Sequence, residues 1–342
     1  MPELPEVQTT VSGLNKKVLK RTFVDVWSDW KKIVKKPKDF EQFKKEIKNK
    51  KIKKIWRRAK NIIFDLSPTN FDVKEKKHRQ KGKSSKLVGD KSEGPALSGA
   101  EGYSLLVHQK MTGHLLIGDW QLLENKWKPI KEGPLNDPYN RFIHLLFFLD
   151  GGKMMALSDV RKFAKVELWK TEELLNSKEF KNLGPEPLDN NFTFLKFKET
   201  LTLRNTQGKK IKGRTLLRQR LRTGKVKQVL MNPEIIAGIG NIYSSEILWQ
   251  AKIHPEKNVA KLNEKELKSI YDSIKKVLTL AVKLGGESFS DYRKPDGSKG
   301  DFDTERKAYR REGQKCSRCG KKIKRIKLGG RSTFFCPKCQ KL

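Results

Sequence analysis

Two hydrophobic periods divide the chain. Up to about residue 182 the apolar positions fall in short runs, NIIFDL, YSLLVHQKMTGHLLIGDW, RFIHLLFFLDGGKMMALSDV and RKFAKVELW, rich in β-formers and broken by glycine. That is the pattern of an antiparallel β-sandwich. Helices flank it: DFEQFKKEIKNK puts Phe40, Phe43 and Ile47 on one helical face, with Asp39 as N-cap and Gln42 placed to reach back. NLGPEPLDNN then concentrates Gly, Pro and Asn, which places a hinge at residues 183–191.

Beyond the hinge the period lengthens to about 3.6 residues, and the region 192–300 reads as helical. In LNEKELKSIYDSIKKVLTLAVKLGG, Leu262 and Leu267 can form a staple, Asn263 caps, Glu266 returns the bond and Gly285 ends the helix. Leu267, Ile270, Ile274, Val277, Leu278 and Ala281 form its buried stripe, which is structural. Upstream, VKQVLMNPEIIAGIGNIYSSEILWQAKI reads as two helices joined by a bend containing Pro233, Gly238 and Gly240. Glycines there let backbone amides come close to a partner, and a helix N-terminus near Asn241 points its positive end at the same place. A phosphate fits that description; a tight helix–helix turn is the other reading. The expected fold is α+β and multidomain: a sandwich over 1–182, a helical domain over 192–300 and a small terminal unit over 301–342.

Composition narrows the partner. Lys+Arg number 76 against 39 Asp+Glu, a formal charge of +37 in 342 residues. Such an excess calls for a polyanion, and with no basic amphipathic anchor in view nucleic acid fits better than an acidic membrane. No apolar run is long enough to cross a bilayer, so a soluble, cytoplasmic chain is expected. Residues 71–101 are polar, rich in Lys, Gly and Ser and without periodicity. They read as a mobile insertion, either a bystander loop or an arm that follows DNA.

All four cysteines lie in the last 27 residues, as Cys316-x2-Cys319 and Cys336-x2-Cys339 with sixteen residues between the pairs. That is the spacing of a zinc site, and a reducing cytosol disfavours two disulfides instead. The opening, MPELPEV, has the wrong chemistry for a signal peptide, because Glu3 and Glu6 stand where basic and then apolar residues would be needed. Trimming of Met1 would expose the secondary amine of Pro2 beside a carboxylate, a nucleophile next to an acid. A proline-rich turn with exposed acids is the plainer alternative.

The stretches PELPEV, RRAKN, MTG, LGPEPL, AGIGNIY and LGGRSTFFCPKCQ, in this order, resemble the formamidopyrimidine-DNA glycosylase family of base-excision repair enzymes. The resemblance spans nearly the whole chain apart from 71–101. It implies a catalytic sandwich domain, a helix-two-turn-helix DNA-binding domain and a zinc-finger hairpin, acting as a monomer on double-stranded DNA that carries an oxidised base or abasic site. It also implies a bifunctional glycosylase/lyase for oxidised purines. In such an enzyme Pro2 attacks C1′ to give an iminium, Glu3 moves protons, Lys60 assists β-elimination and Arg331 assists δ-elimination. Met111, Arg161 and Phe163 match the residues that fill the hole left by the extruded base. His108, Lys227 and Asn241 match phosphate-binding positions, with Arg222 and Arg141 as weaker candidates of the same kind. One structural zinc ion on Cys316, Cys319, Cys336 and Cys339 is implied as well.

Departures from the family pattern are local. DVRKF stands where DPRRF is common, HQK precedes Met111 where many members have HLG, and a usual pair of histidines is reduced to His144, with Arg141 nearby. Against the related endonuclease VIII-like type, which prefers oxidised pyrimidines, stand Leu4 in PELPE and the separation of Met111 from Arg161 and Phe163. A silent DNA-binding zinc protein would have no need of Pro2 and Glu3. The segment ESFSDYRKPDG is the expected lesion cap.

Overall fold

The computed structural model describes residues 1–67, 102–211, 214–288 and 291–342, with side chains outside 204–221. The 71–101 segment lies outside the described residues, as do two positions of ESFSDYRKPDG. The chain forms two compact units, one made of Val11–Trp56 and Ile62–Lys181, the other of Met1–Thr10, Arg57–Asn61 and Asn182–Leu342.

The first of these is built from β1 (Phe23–Trp27), β2 (Val34–Lys36), β3 (Ile52–Arg58), β4 (Asn61–Leu66), β5 (Tyr103–His108), β6 (His114–Gly118), β7 (Trp120–Leu123), β8 (Lys126–Pro129), β9 (Ile143–Leu149), β10 (Met154–Ser158) and β11 (Lys165–Lys170). One sheet runs β1-β9-β10-β6 and a second β2-β11-β5-β4-β3. β1, β9, β10 and β6 pair antiparallel, as do β11 and β5, while at one edge of the second sheet the three-residue β2 runs parallel to β11. The apolar run of β9 has both faces covered, which explains why it does not alternate. Phe147 meets Phe23 and Phe43 edge-on, the latter from α2 (Phe40–Ile47), while Leu146 and Phe148 pack with Trp127 of the β7–β8 hairpin. Asp39 caps α2 as expected, accepting the Gln42 N–H at 2.6 Å. The Gln42 side chain does not reach back; it donates to Glu46 at 2.7 Å, because a partner one turn on is nearer than the cap.

The second unit has a helical core. Helix α3 (Phe194–Thr202), α4 (Val226–Met231), α5 (Asn241–Ala251) and α6 (Glu264–Lys283) bury Phe197, Leu201, Leu230, Ile247, Ile270, Ile274 and Leu278 together. Helix α6 carries the full capping box of Asn263 and Glu266. It ends where Gly285 and Gly286 take positive φ and return their N–H groups to Val282 and Ala281. The helical expectation for 192–300 needs one correction: β12 (Leu203–Ile211) and β13 (Arg214–Leu221) form an antiparallel ribbon here. Its lysines and arginines hid a period-two pattern.

The terminal unit is a hairpin of β14 (Lys324–Leu328) and β15 (Arg331–Phe335), turned by Gly329 and Gly330, both at positive φ. Phe334, Ile323, Cys316 and Cys336 share a small core with Trp249 of α5. The segment leading into it is fastened by Glu246, whose carboxylate accepts the N–H groups of Lys307, Ala308 and Tyr309 at 2.7–3.0 Å.

Candidate active site

The chain start is held from the second residue. Pro2 and Glu3 are buried, and Leu4 donates its N–H to Gly238 O at 3.0 Å. The bend before α5 therefore receives the start of the first helix (Leu4–Lys17), and its glycines allow the close approach. Gly238 sits at φ 87° and packs against Leu4. The Glu3 carboxylate accepts the N–H groups of Gly240 at 2.7 Å, Ile242 at 2.9 Å and Tyr243 at 3.3 Å. So the anion at this helix N-terminus is Glu3 itself, where the glycine-rich bend had suggested a phosphate. The physics is the one expected, a negative charge on unsatisfied amides at the positive end of a helix.

Glu6 lies next to it, wholly buried. It accepts the Glu3 N–H at 2.7 Å, the Glu287 N–H at 2.8 Å and the Tyr243 hydroxyl. Burial and the nearby Glu3 charge raise its pKa to about 7, although the three donors pull the other way. Because Glu6 holds the Glu3 N–H, it fixes the peptide plane between Pro2 and Glu3. Tyr292 adds a further tie, donating its hydroxyl to Glu6 O at 3.0 Å.

Lys60 follows a residue, Ala59, at φ 54°. That tight turn is held by Glu186, whose carboxylate accepts from Arg57 at 2.5 Å, Arg58 at 3.1 Å and the Ala59 N–H at 2.5 Å. Arg57 and Arg58, a basic cluster in the sequence, are thus held by Glu186, whereas Lys60 takes no part in that cluster of bonds. Burial lowers the Lys60 ammonium below its ordinary range, the charges of Glu3 and Glu6 oppose that, and Arg331 adds to it. Glu3, Glu6 and Arg331 each lie within electrostatic reach of Lys60.

Lys227 is 1% exposed, so it sits beneath the surface where a phosphate-binding position had been expected. Its Nζ donates to Asn241 Oδ1 at 2.8 Å, Ser245 Oγ at 3.0 Å and Thr333 Oγ1 at 3.0 Å, and burial among these neutral acceptors lowers its pKa to about 7. Asn241 Nδ2 donates in turn to Ser332 O at 3.1 Å, beside the exposed Arg331. Lys227 therefore orients Asn241 and the hairpin. Arg222 donates to Leu203 O at 2.9 Å.

In the sandwich unit, Met111 is half-buried, Arg161 is exposed and Phe163 is 51% exposed. The Arg161 guanidinium lies over the Phe163 ring at 4.5 Å. Without a partner such an aromatic belongs inside, so its exposure is informative. His108 accepts the Lys110 N–H at 2.9 Å, Arg141 stacks on Phe142, and His144, with Asp29 on its Nδ1 at 2.9 Å, is largely buried.

Three domain families match in order: the formamidopyrimidine-DNA glycosylase N-terminal domain over residues 1–166, its H2TH domain over 183–293, and the zinc finger found in FPG and IleRS over 313–342. The chain belongs to the formamidopyrimidine-DNA glycosylase family. Relatives bearing that enzyme name include one from Desulforamulus reducens, 31% identical over 100% of this chain and 99% of its own, and one from Lactococcus lactis subsp. cremoris, 33% identical over 99% of each. Among solved structures, a Lactococcus lactis FPG mutant in complex with Fapy-dG containing DNA matches at TM-score 0.73 and 31% identity over 100% of both chains. A structure of MutM with carbocyclic 8-oxo-G containing DNA matches equally, at TM-score 0.73 and 31% identity over 100% of both chains.

As the family's finger implies, Cys316, Cys319, Cys336 and Cys339 hold one structural zinc. Their four Sγ atoms all lie within 4.8 Å of one another, which suits a tetrahedral ion with Zn–S bonds of about 2.3 Å. Four thiolates leave no coordination position for a catalytic water. Sequence reasoning missed Glu6, Glu186 and Tyr243. For Glu6 a signal existed: Glu-x-x-Glu at the start of a helix (Leu4–Lys17) is half a capping box, the later acid accepting the N-cap N–H.

Proposed function

We infer that this family member is a bifunctional DNA glycosylase/AP lyase of base-excision repair that excises oxidised purines, 8-oxoguanine and formamidopyrimidines, from double-stranded DNA. One observation carries the reading: Glu3, the residue after Pro2, has its carboxylate held by three amides of the glycine-rich bend, with Lys60 in electrostatic reach. A carboxylate fixed so firmly beside an N-terminal imino acid is of no use to a protein that only binds.

With Met1 removed, the Pro2 nitrogen attacks C1′ of the damaged nucleotide, the C1′–base bond breaks and the departing base takes up a proton. The proton that the Pro2 nitrogen gives up passes to the Glu3 carboxylate, which hands it to the sugar oxygen as the ring opens, leaving an iminium between Pro2 and the opened deoxyribose. The iminium acidifies C2′, and loss of that proton expels the 3′ phosphate. Lys60, its ammonium made more acidic by burial, is suited to proton transfer in this step and to holding a phosphate. Arg331 serves the second, δ-elimination from the hairpin tip. Met111, Arg161 and Phe163 fill the vacated stack, while His108, Asn241, Arg141 and Arg222 serve the backbone and Lys227 holds Asn241 toward it. Among the described residues no helix is long and apolar enough to cross a membrane, and a cytoplasmic monomer associated with the nucleoid suits the charge of +37.

The test is borohydride trapping on a duplex with one 8-oxoguanine opposite cytosine. Wild type should trap and cut; Pro2→Gly and a form keeping one extra residue before Pro2 should not. Trapping only on a thymine glycol duplex would assign the chain to oxidised pyrimidines, and binding without trapping on either would end the enzymatic reading.

A further inference from the structure

Two turns of the sandwich unit carry the three proposed void-filling residues, and a single buried side chain joins them. The first turn, residues 109–113, runs from β5 to β6; the second, 159–164, runs from β10 to β11. Strand register sets them side by side. His108 at the end of β5 pairs with Lys165 at the start of β11, and His114 at the start of β6 pairs with Ser158 at the end of β10. Both turns therefore cross from one sheet to the other at the same corner.

Asp159 is 0% exposed. Its Oδ2 accepts the Ala164 N–H at 2.7 Å, closing the second turn around Arg161 and Phe163, and its Oδ1 accepts the Arg161 N–H at 3.3 Å. The same Oδ1 accepts the hydroxyl of Thr112, which belongs to the first turn and is adjacent to Met111. Thr112 Oγ1 in turn accepts the Arg161 N–H at 3.1 Å. The first turn is further fixed by His114, whose Nδ1 lies 3.2 Å from Thr112 O and whose Nε2 lies 3.0 Å from Asn140 Oδ1. Each turn also holds one lysine, Lys110 or Lys162, at positive φ, a conformation that needs such support. Asp159 and Thr112 at the base of this assembly are buried and bonded to each other, while Arg161 and Phe163 at its tips are open to solvent.

We propose that Asp159, acting with Thr112, is a positioning residue for base extrusion: it couples the Met111 turn to the Arg161–Phe163 turn, so that the three side chains enter the duplex as one pre-set wedge. This rests on the void-filling role given to those three residues above. An ordinary turn cap would need only the bonds within 159–164. The bond to Thr112 spans the two turns, and it is the one that makes separate side chains act together. Preorganisation of this kind lowers the ordering cost at the moment of extrusion.

The experiment compares Asp159→Asn, Thr112→Val and Thr112→Ser with wild type on two substrates: 8-oxoguanine opposite cytosine in a duplex, and an abasic site in a single strand, where no stack has to be opened. Asp159→Asn and Thr112→Val should lose at least tenfold in single-turnover excision from the duplex. Both should keep strand cleavage at the single-stranded abasic site within about twofold, since Pro2 chemistry is untouched. Thr112→Ser, which retains the hydroxyl, should restore duplex excision. In a Phe163→Ala background Thr112→Val should add little, because both act through one wedge. Equal loss on both substrates, or full additivity with Phe163→Ala, would reduce the network to structural support and overturn the proposal. If Phe163→Ala itself leaves duplex excision unchanged, the void-filling reading has failed, which is a different outcome from a normal Asp159→Asn beside a defective Phe163→Ala.

Discussion

A methyl group on Gly240 would stand 2.4 Å from the carboxyl carbon of Glu3. The glycine is thus required by the acid, and the two positions, far apart in sequence, form one packed element of the proposed site. Gly240→Ala should displace the Glu3 carboxylate and lower single-turnover base excision by a factor of about 10²–10⁴, the range of a lost acid–base catalyst. DNA binding, measured by fluorescence anisotropy, should change much less. Unaltered excision by a folded Gly240→Ala protein would remove Glu3 from the mechanism.

Glu186 neutralises two arginines in a buried place. Glu186→Ala leaves Arg57, Arg58 and the Ala59 N–H without their acceptor, and breaking such a pair from one side costs roughly 3–5 kcal/mol. Chemical denaturation should register that loss. Borohydride trapping should fall too, because the turn that presents Lys60 loses its anchor.

Glu6 predicts a pH dependence whose sign is fixed. Its folded pKa of about 7 lies above the ordinary 4.5, so the folded protein holds the proton more tightly than the unfolded chain. The corresponding stability is complete below about pH 4.5 and gone once the pH has risen through about 7. Measured from pH 5 to pH 8, wild type should lose stability relative to Glu6→Gln, by at most about 3 kcal/mol. A flat difference between the two across that window would place Glu6 in its charged form throughout.

Phe163 separates stability from function. Half its surface is open, so Phe163→Ala should change unfolding free energy by no more than about 0.5 kcal/mol. Excision from duplex DNA should nevertheless fall by at least tenfold. A large stability loss with normal excision would make Phe163 a packing residue.

Zinc removal provides a fifth contrast. Chelation, or Cys336→Ser, should unfold the hairpin that carries Arg331 and weaken DNA binding, with recovery on adding zinc back to the chelated wild type. Loss of metal without loss of binding would separate the finger from DNA recognition.

The elements with strong local signals were legible in the chain: the capped α6, the cysteine pairs and the glycine-broken strands. Candidate residues with a distinctive neighbourhood, such as Pro2 and Glu3, were visible for the same reason. What stayed hidden depends on partners distant in sequence. Glu186 sits in a Gly- and Pro-rich stretch that reads as linker, and nothing local shows that its carboxylate closes the turn before Lys60. Lys227 matched a phosphate-binding position, and nothing local marks it as buried; its burial follows from acceptors on α5 and β15. The ribbon of β12 and β13 was masked by charge, since period-two alternation is hard to see when most positions are polar.

Two clasps described above bind the finger to the helical core, Glu246 on its leading segment and Lys227 against its second strand. The hairpin is therefore no tethered module that must search for its place on the nucleic acid. Its effective concentration at the site is set during folding, and in the role proposed for it Arg331 would meet DNA with the orientational entropy already surrendered. Lengthening the segment around residue 308 would turn the same finger into a weak, independent ligand.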